Sequence, residues 1–439
     1  MGKGTNSSLT KKQYELYLSR YAYQFIYLGD ETVSEELGIV ITIPCYNEPD
    51  ILKTLKSLYL CHPTKHSVEI LILINQPEGS DPVVVEQNNK SYSEIKSWIN
   101  SHNDNKKTFH VIWAGDLPEK YAGVGLARKL VMDEAIRRLA RSGNYEGVLV
   151  GFDADSTCEQ NYLTAIENFF LTHPKANGAN LYFEHPLKTD YSDKNAIGIA
   201  SYELHLRYMV HALRYAGFPY AFHTVGSSLA VRGTAYVKQG GMNRRKAGED
   251  FYFLQKIIPL GNFGEINTTR IIPSSRESDR VPFGTGKAMM KWAKSREKVF
   301  KTYNPEIYKE LSKLFSGISN LYESNEPEII RYYEKLGPCL KEFIDLEEWT
   351  KKLSEIQNES RSLKTFRYRF FHWMNGLKTL KFIHFARDKK YKNVPVLEAC
   401  QWLKKQIGLD DNNSVNVFEG LLELRNFDKE NPKYYATDN

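Results

Sequence analysis

The sequence predicts an α/β fold: a mostly parallel sheet flanked by helices, followed by an α-helical C-terminal region. Three observations lead there. Short apolar, β-branched runs recur as GIVITIP, VEILILIN, FHVIWAG and YEGVLVGFD. Between them lie longer stretches with helical periodicity, such as EPDILKTLKSLYL and GLARKLVMDEAIRRLA. After Gly286 the β-branched alternation stops and helical periodicity takes over. Strands alternating with helices make a parallel sheet covered on both faces. In such sheets ligands bind beyond the carboxyl ends of the strands. The expected organisation is an N-terminal helix within residues 1–35, an α/β domain over 36–286 and a helical region over 287–439.

At 439 residues the chain exceeds what one hydrophobic core usually organises. A composition of 41% hydrophobic and 26% charged residues excludes a disordered or fibrous protein. The 13% aromatic share suits sugar faces or a well-filled core equally. A net charge of +6 gives no nucleic-acid footprint, so no nucleic-acid partner is expected. Cys45, Cys61, Cys158, Cys339 and Cys400 are scattered without metal-ligand spacing, which points to a reducing, cytoplasmic setting. No stretch approaches the ~20 apolar residues needed to span a bilayer, and the start carries no apolar leader. A soluble or peripherally attached protein is the expectation.

In chain order, Leu9 to Leu28 reads as a Tyr-rich amphipathic helix. The first buried strand ends at Pro44 and runs into Cys45-Tyr46-Asn47-Glu48 before a helix near Pro49. There Tyr46 can lie against a nucleobase and Asn47 or Glu48 can bond it or a ribose; simple helix capping explains the same residues. The second strand ends in Asn75-Gln76. Gly123 and Gly125 then lead into a helix carrying Arg128 and Lys129 in its first turn. A helix N-terminus with a guanidinium can cradle a diphosphate. The strand YEGVLVGF ends in Asp153-Ala154-Asp155, two carboxylates at a carboxyl edge. Such a pair suits Mg²⁺ or Mn²⁺, which prefer hard oxygen ligands, or it caps the next helix. Further on, Glu249-Asp250 opens a helix after a Gly-rich basic loop. A carboxylate there can act as a general base, or favour the helix N-terminus as acidic residues do. Met1–Ser8 and Asn426–Asn439 read as loose ends.

Taken in order, PCYNEPDIL, GLARKLVMDEA, FDADS and GED resemble the nucleotide-sugar glycosyltransferases of GT-A type, and specifically the large family 2 of inverting enzymes. HTVGSSLAVRGTAYVKQGGM is similar to that family's acceptor-side stretch, and the resemblance covers roughly Gly38 to Gly286. It implies a GT-A-type, Rossmann-like sheet and a donor that is a nucleotide diphosphate sugar. Asp155 would be the direct ligand of Mn²⁺ or Mg²⁺, and Asp153 would touch metal or ribose. Asp250, with Glu249 beside it, would deprotonate the acceptor hydroxyl. Pro44, Tyr46, Glu48 and Asn75 would line the nucleotide pocket, and Arg128 would face ribose or diphosphate. The loop IIPSSRESDRVPFGTG joins Arg276 and Arg280, with Arg280 expected to close over the diphosphate or to belong to a charged surface loop.

Two departures stand out. Asn75-Gln76 replaces the acidic residue common after the second strand, which leaves base preference open because an amide both donates and accepts. Lys129 stands where Asn is usual, and no histidine follows Asp250 to complete a metal shell; His223 reads as a local hydrogen-bonding residue. The acceptor would be a glycan or a lipid-linked sugar in polysaccharide or glycoconjugate synthesis. Residues 361–393 contain ten basic residues with Asp388 as the only acid. That stretch would lie on an anionic membrane, bind an acidic glycan, or bury its aromatics against the catalytic domain with its Lys and Arg solvated. The competing functions are a catalytically silent glycan-binding or scaffold protein, and a sugar-nucleotide nucleotidyltransferase. The latter usually opens with a Gly-rich basic loop that PCYNEPD lacks.

Overall fold

The computed structural model describes residues 3–29, 31–104, 106–187, 193–278, 284–295, 297, 299–409 and 414–436. In chain order come α1 (Lys3–Arg20), β1 (Leu37–Cys45), α2 (Ile51–Tyr59), β2 (Ser67–Pro77), α3 (Pro82–Ile99), β3 (Lys107–Leu117) and α4 (Val124–Ser142). Then follow β4 (Val148–Gly151), β5 (Thr157–Cys158), α5 (Tyr162–Thr172), β6 (Gly178–Phe183), α6 (Lys194–Tyr215), β7 (Leu229–Arg232) and α7 (Gly233–Lys238). They lead to α8 (Glu249–Ile257), β8 (Phe263–Ile272), α9 (Thr285–Lys294), β9 (Lys301–Thr302), α10 (Pro305–Ser316), α11 (Glu326–Glu334) and α12 (Pro338–Phe343). The chain finishes with α13 (Leu346–Asn358), α14 (Leu363–Trp373), α15 (Gly376–Lys389), β10 (Val394–Pro395), α16 (Val396–Gln406), α17 (Val417–Glu430) and β11 (Tyr434–Tyr435).

The main sheet runs β11-β8-β6-β7-β4-β1-β2-β3, with β5 pairing β8 outside that order. Strands β4, β1, β2 and β3 are parallel throughout, and β6 is parallel to β8. Strand β7 enters antiparallel between β4 and β6. The sheet is therefore mixed but mostly parallel by paired length, and helices flank it. The apolar runs explain why. Ile39–Ile43 and Val68–Ile74 are buried on both faces of β1 and β2 and apolar except for the buried Thr42 and Glu69, as central parallel strands demand.

The chain forms two compact units. The first contains residues 1–186, 224–288 and 428–439; the second contains 187–223 and 289–427. The chain thus leaves the sheet unit and returns to it, an excursion that a single boundary at 286 does not contain. The reason lies in α6. Its Ala196, Ala200 and Leu204 pack with Val396, Cys400, Phe418, Leu421 and Leu424 in a core of the second unit. At the other end, residues expected to be loose contribute β11, which pairs antiparallel with β8 through Tyr434 and Tyr435.

The N-terminal helix also differs from expectation, ending at Arg20 rather than near Leu28. Beyond it, backbone donors go to carboxylates on α4 instead of to helix carbonyls. Tyr23 N–H donates to Asp133 at 2.7 Å and Leu28 N–H to Glu134 at 3.2 Å. Asp133 also receives the hydroxyls of Tyr17 (2.6 Å) and Tyr236 (2.9 Å), and Lys129 pairs with it at 2.9 Å. Lys129 is thereby committed to holding the N-terminal segment.

In the second unit the basic-aromatic stretch shows its packing plainly. Phe366, Phe370, Phe371 and Phe382 are buried. Arg369 pairs with Glu359, Lys378 with Glu348, Arg387 with Asp388 and Lys389 with Glu342. These aromatics are core residues of the second unit. No helix among the described residues is long and apolar enough to cross a membrane.

Candidate active site

The parallel half of the sheet places the carboxyl ends of β4, β1 and β2 side by side. Beyond those three ends lie Asp153 to Asp155, Tyr46 to Glu48 and, on the last residues of β2, Asn75-Gln76. The turn after β4 is held by its own backbone and by α2. Ser156 N–H donates to the Asp153 carbonyl at 3.1 Å, and Thr54 Oγ1 donates to the Ala154 carbonyl at 2.8 Å. Pro44 and Tyr46 are half-buried at the end of β1.

Arg128 on α4 joins the turn to the start of α8. Its Nη2 lies 2.5 Å from Asp153 Oδ1, its Nε 3.0 Å from Glu249 Oε1, and its Nη1 donates to the Gly226 carbonyl at 3.2 Å. Burial opposes its positive charge, but Asp153, Glu249 and Asp250 outweigh burial and raise its pKa further. Arg128 therefore neutralises carboxylates, where the sequence suggested a guanidinium facing ribose or diphosphate. Two glycines make room for this. A Cβ on Gly226 would sit 2.7 Å from the Arg128 guanidinium, and one on Gly125 would sit 2.1 Å from the Arg245 carbonyl and 3.0 Å from Glu249 Cβ.

Asp250 is oriented by backbone donors. Gly226 N–H reaches its Oδ2 at 2.9 Å and Phe251 N–H its Oδ1 at 2.7 Å. Burial, then the charge of Glu249, pushes the Asp250 carboxyl up to about 6; Arg128 and the two N–H donors pull the other way without cancelling this. A carboxylate with that value is a base tuned toward neutral pH.

On the other side, Arg276 follows β8 and reaches the β1 and β4 ends together. It pairs with the fully buried Glu48, lies 3.5 Å from Asp155 Oδ2 and 3.9 Å from Asp50. Burial opposes its charge, and Glu48, then Asp155 and Asp50, more than restore it. Arg280, the residue expected over the diphosphate, lies outside the described residues.

A third set shapes the β1–β2 side. Asn47 adopts a left-handed backbone, φ 49°, a conformation asparagine tolerates better than most residues. Its N–H donates to Asn88 Oδ1 at 2.9 Å, and Asn88 Nδ2 donates to Gln76 Oε1 at 2.9 Å. Asn75 is only 5% exposed, and among the described residues its buried Oδ1 has no hydrogen-bond partner. An orphaned buried acceptor at this edge suits an N–H donor from a ligand.

The sequence missed three contributors: Gly226, Asn88 and the role of Arg276. Gly226 lies within the VGSS stretch already noted, so its signal was present. Asn88 sits mid-helix on α3, where nothing local marks it. Among the described residues no group of three or more His, Cys, Asp or Glu forms a metal cage. Asp153 and Asp155 nevertheless fit a Mg²⁺ or Mn²⁺ held jointly with phosphate and water, which takes one or two carboxylates.

No protein-family model matches the sequence, and no curated protein matches it. Among solved structures, the S. aureus TarS fragment 1–349 in complex with UDP-GlcNAc is similar at 13% identity and TM-score 0.38, covering 91% of this chain and 94% of that one. A S. aureus TarS structure is similar at 11% identity and TM-score 0.36, covering 80% and 55%. The 1–349 fragment with UDP gives 11% and 0.33, covering 80% and 91%. Likeness at this level bears on neither substrate nor mechanism.

Proposed function

We propose that this protein is a nucleotide-sugar glycosyltransferase of GT-A type, similar to the inverting family 2 enzymes. It moves a sugar from a nucleotide diphosphate donor to a hydroxyl of a glycan or lipid-linked acceptor, on the cytoplasmic side. The observation that carries the reading is the Arg128 bridge. It ties the carboxylate pair after β4 to the Glu249-Asp250 pair, and Asp250 in that setting is raised to about 6. Three of the four motifs named from the sequence thereby meet around one edge of the sheet, and Arg276 links the fourth by pairing with Glu48 and lying beside Asp155.

In this reading Asp250 takes the proton of the acceptor hydroxyl as its oxygen attacks the anomeric carbon. One in-line displacement then inverts that centre. At neutral pH Asp250 is mostly ionised yet more basic than an ordinary aspartate, which is what general-base catalysis asks for. The Gly226 and Phe251 N–H groups hold its two oxygens, and Arg128 offsets the charge of Glu249. Asp155 and Asp153 would hold Mn²⁺ or Mg²⁺, which when bound neutralises charge on the departing diphosphate. Pro44, Tyr46 and Asn75 line the nucleotide end, with the Asn75 amide facing the base, and the buried Glu48 supports that end through Arg276.

A silent glycan-binding protein is the second reading. It gives no reason for a carboxylate raised to about 6 at the start of α8, bridged through Glu249 and Arg128 to Asp153. A thermal-shift panel of UDP, GDP, CMP, TDP and their sugars, with and without Mn²⁺, tests the proposal. Stabilisation by one nucleotide that requires Mn²⁺ supports it, since a ligand bound only to the folded state raises stability. A folded protein that none of them stabilises overturns it.

A further inference from the structure

Arg276 makes an unequal set of contacts. Its guanidinium is anchored on Glu48, a carboxylate with no exposed surface, while Asp155 stands off at 3.5 Å and keeps a quarter of its side chain exposed. Glu48 is itself fixed. Its Oε1 accepts the Asp50 N–H at 3.0 Å, and its carbonyl accepts from Ser91 Oγ at 2.9 Å. Asp50 has a second cation in Lys53 at 2.9 Å. The arginine is thus tethered to the β1 loop and leans on Asp155, the residue assigned above to the metal. A guanidinium cannot give up its proton in a protein, so this positive charge is present at every working pH.

A divalent ion and this guanidinium cannot both sit against Asp155 at full strength, because like charges a few ångströms apart repel. We propose that Arg276 guards Asp155: in the nucleotide-free protein it supplies the counter-charge and keeps Mg²⁺ or Mn²⁺ weakly bound, and the anionic diphosphate of the donor admits the ion by offering the guanidinium another partner. This rests on the glycosyltransferase reading and adds an order to it, with metal and nucleotide entering together. Guanidinium forks pair with phosphate oxygens as well as with carboxylates, so the exchange costs Arg276 little.

The test reads metal binding without turnover. Mn²⁺ is titrated into the full chain with no nucleotide present, and free Mn²⁺ is followed by electron paramagnetic resonance. Arg276→Met is expected to bind Mn²⁺ at least tenfold more tightly than the wild type, and Arg276→Met/Asp155→Asn is expected to lose that gain. Arg276→Gln is neutral but still able to donate to Glu48, and it serves if the methionine variant fails to fold. A neutral variant that binds Mn²⁺ no more tightly than the wild type overturns the inference. If Mn²⁺ still enhances stabilisation of the wild type by a nucleoside diphosphate in that case, the guard alone fails. If neither Mn²⁺ nor any nucleoside diphosphate binds wild type or variant, the functional reading fails with it.

Discussion

Asp250→Asn separates stability from catalysis, and its stability arm needs no knowledge of the acceptor. In the folded protein the Asp250 carboxyl is raised from 3.8 to about 6, chiefly by burial and then by Glu249. Between those two values the folded state holds a proton that the unfolded state has lost. Stability contributed by this group is therefore complete below pH 4 and falls as pH rises toward 6. A shift of about two pH units, at about 1.4 kcal/mol each, amounts to up to ~3 kcal/mol at neutral pH. Asparagine carries no charge and escapes this penalty, although its NH₂ group meets one of the two backbone donors and returns part of the gain. The variant is expected to gain about 1–3 kcal/mol relative to the wild type between pH 4 and pH 7. The assay is urea unfolding of both proteins at half-unit pH steps. Turnover, measured as nucleoside diphosphate release from the stabilising donor, is expected to fall at least ~10²-fold. A stability difference that stays flat from pH 4 to 7 refutes the titration argument. Turnover within tenfold of wild type refutes the assignment of the base.

The other predictions concern the partners of that carboxylate and the nucleotide edge. Arg128→Met leaves Asp153 and Glu249 without their shared cation and is expected to cost about 3–5 kcal/mol, read by urea unfolding. Gly125→Ala gains about 1 kcal/mol in helix propensity but drives a Cβ to within 2.1 Å of the Arg245 carbonyl and against Glu249. A lower melting temperature and at least tenfold lower turnover are expected, and a stabilised, fully active variant would show that the loop yields freely. Asn75→Ala removes an acceptor that has no partner among the described residues, so its melting temperature should hold. Its affinity for the stabilising nucleotide, measured by calorimetry, should fall about tenfold, the worth of one to two hydrogen bonds. Wild-type kcat/KM is expected to drop about tenfold per pH unit below about 6, as Asp250 takes up its proton.

The sequence by itself determined the sheet's parallel half. The runs in β1, β2 and β4 are continuous and apolar because both faces are covered, and that pattern is local enough to read directly. It also determined the chemistry available at the edge, since Asp153, Asp155, Glu249 and Asp250 stand where strands end or a helix begins. Tertiary structure decided what those groups face. Arg128 is five residues into its helix, and nothing around it in sequence says that Asp153 and Glu249, 25 and 121 residues away, will claim its guanidinium. The amide chain from Gln76 through Asn88 to Asn47 is equally silent in sequence, because mid-helix asparagine carries no periodic signal. Arg276 and Arg280 are indistinguishable as letters in one loop; only the position of Glu48 and Asp155 gives Arg276 its place. The division into units was hidden for the same reason. Whether α6 covers the sheet or joins the C-terminal helices depends on partners two hundred residues away, and an apolar helix face names no partner until the chain is folded.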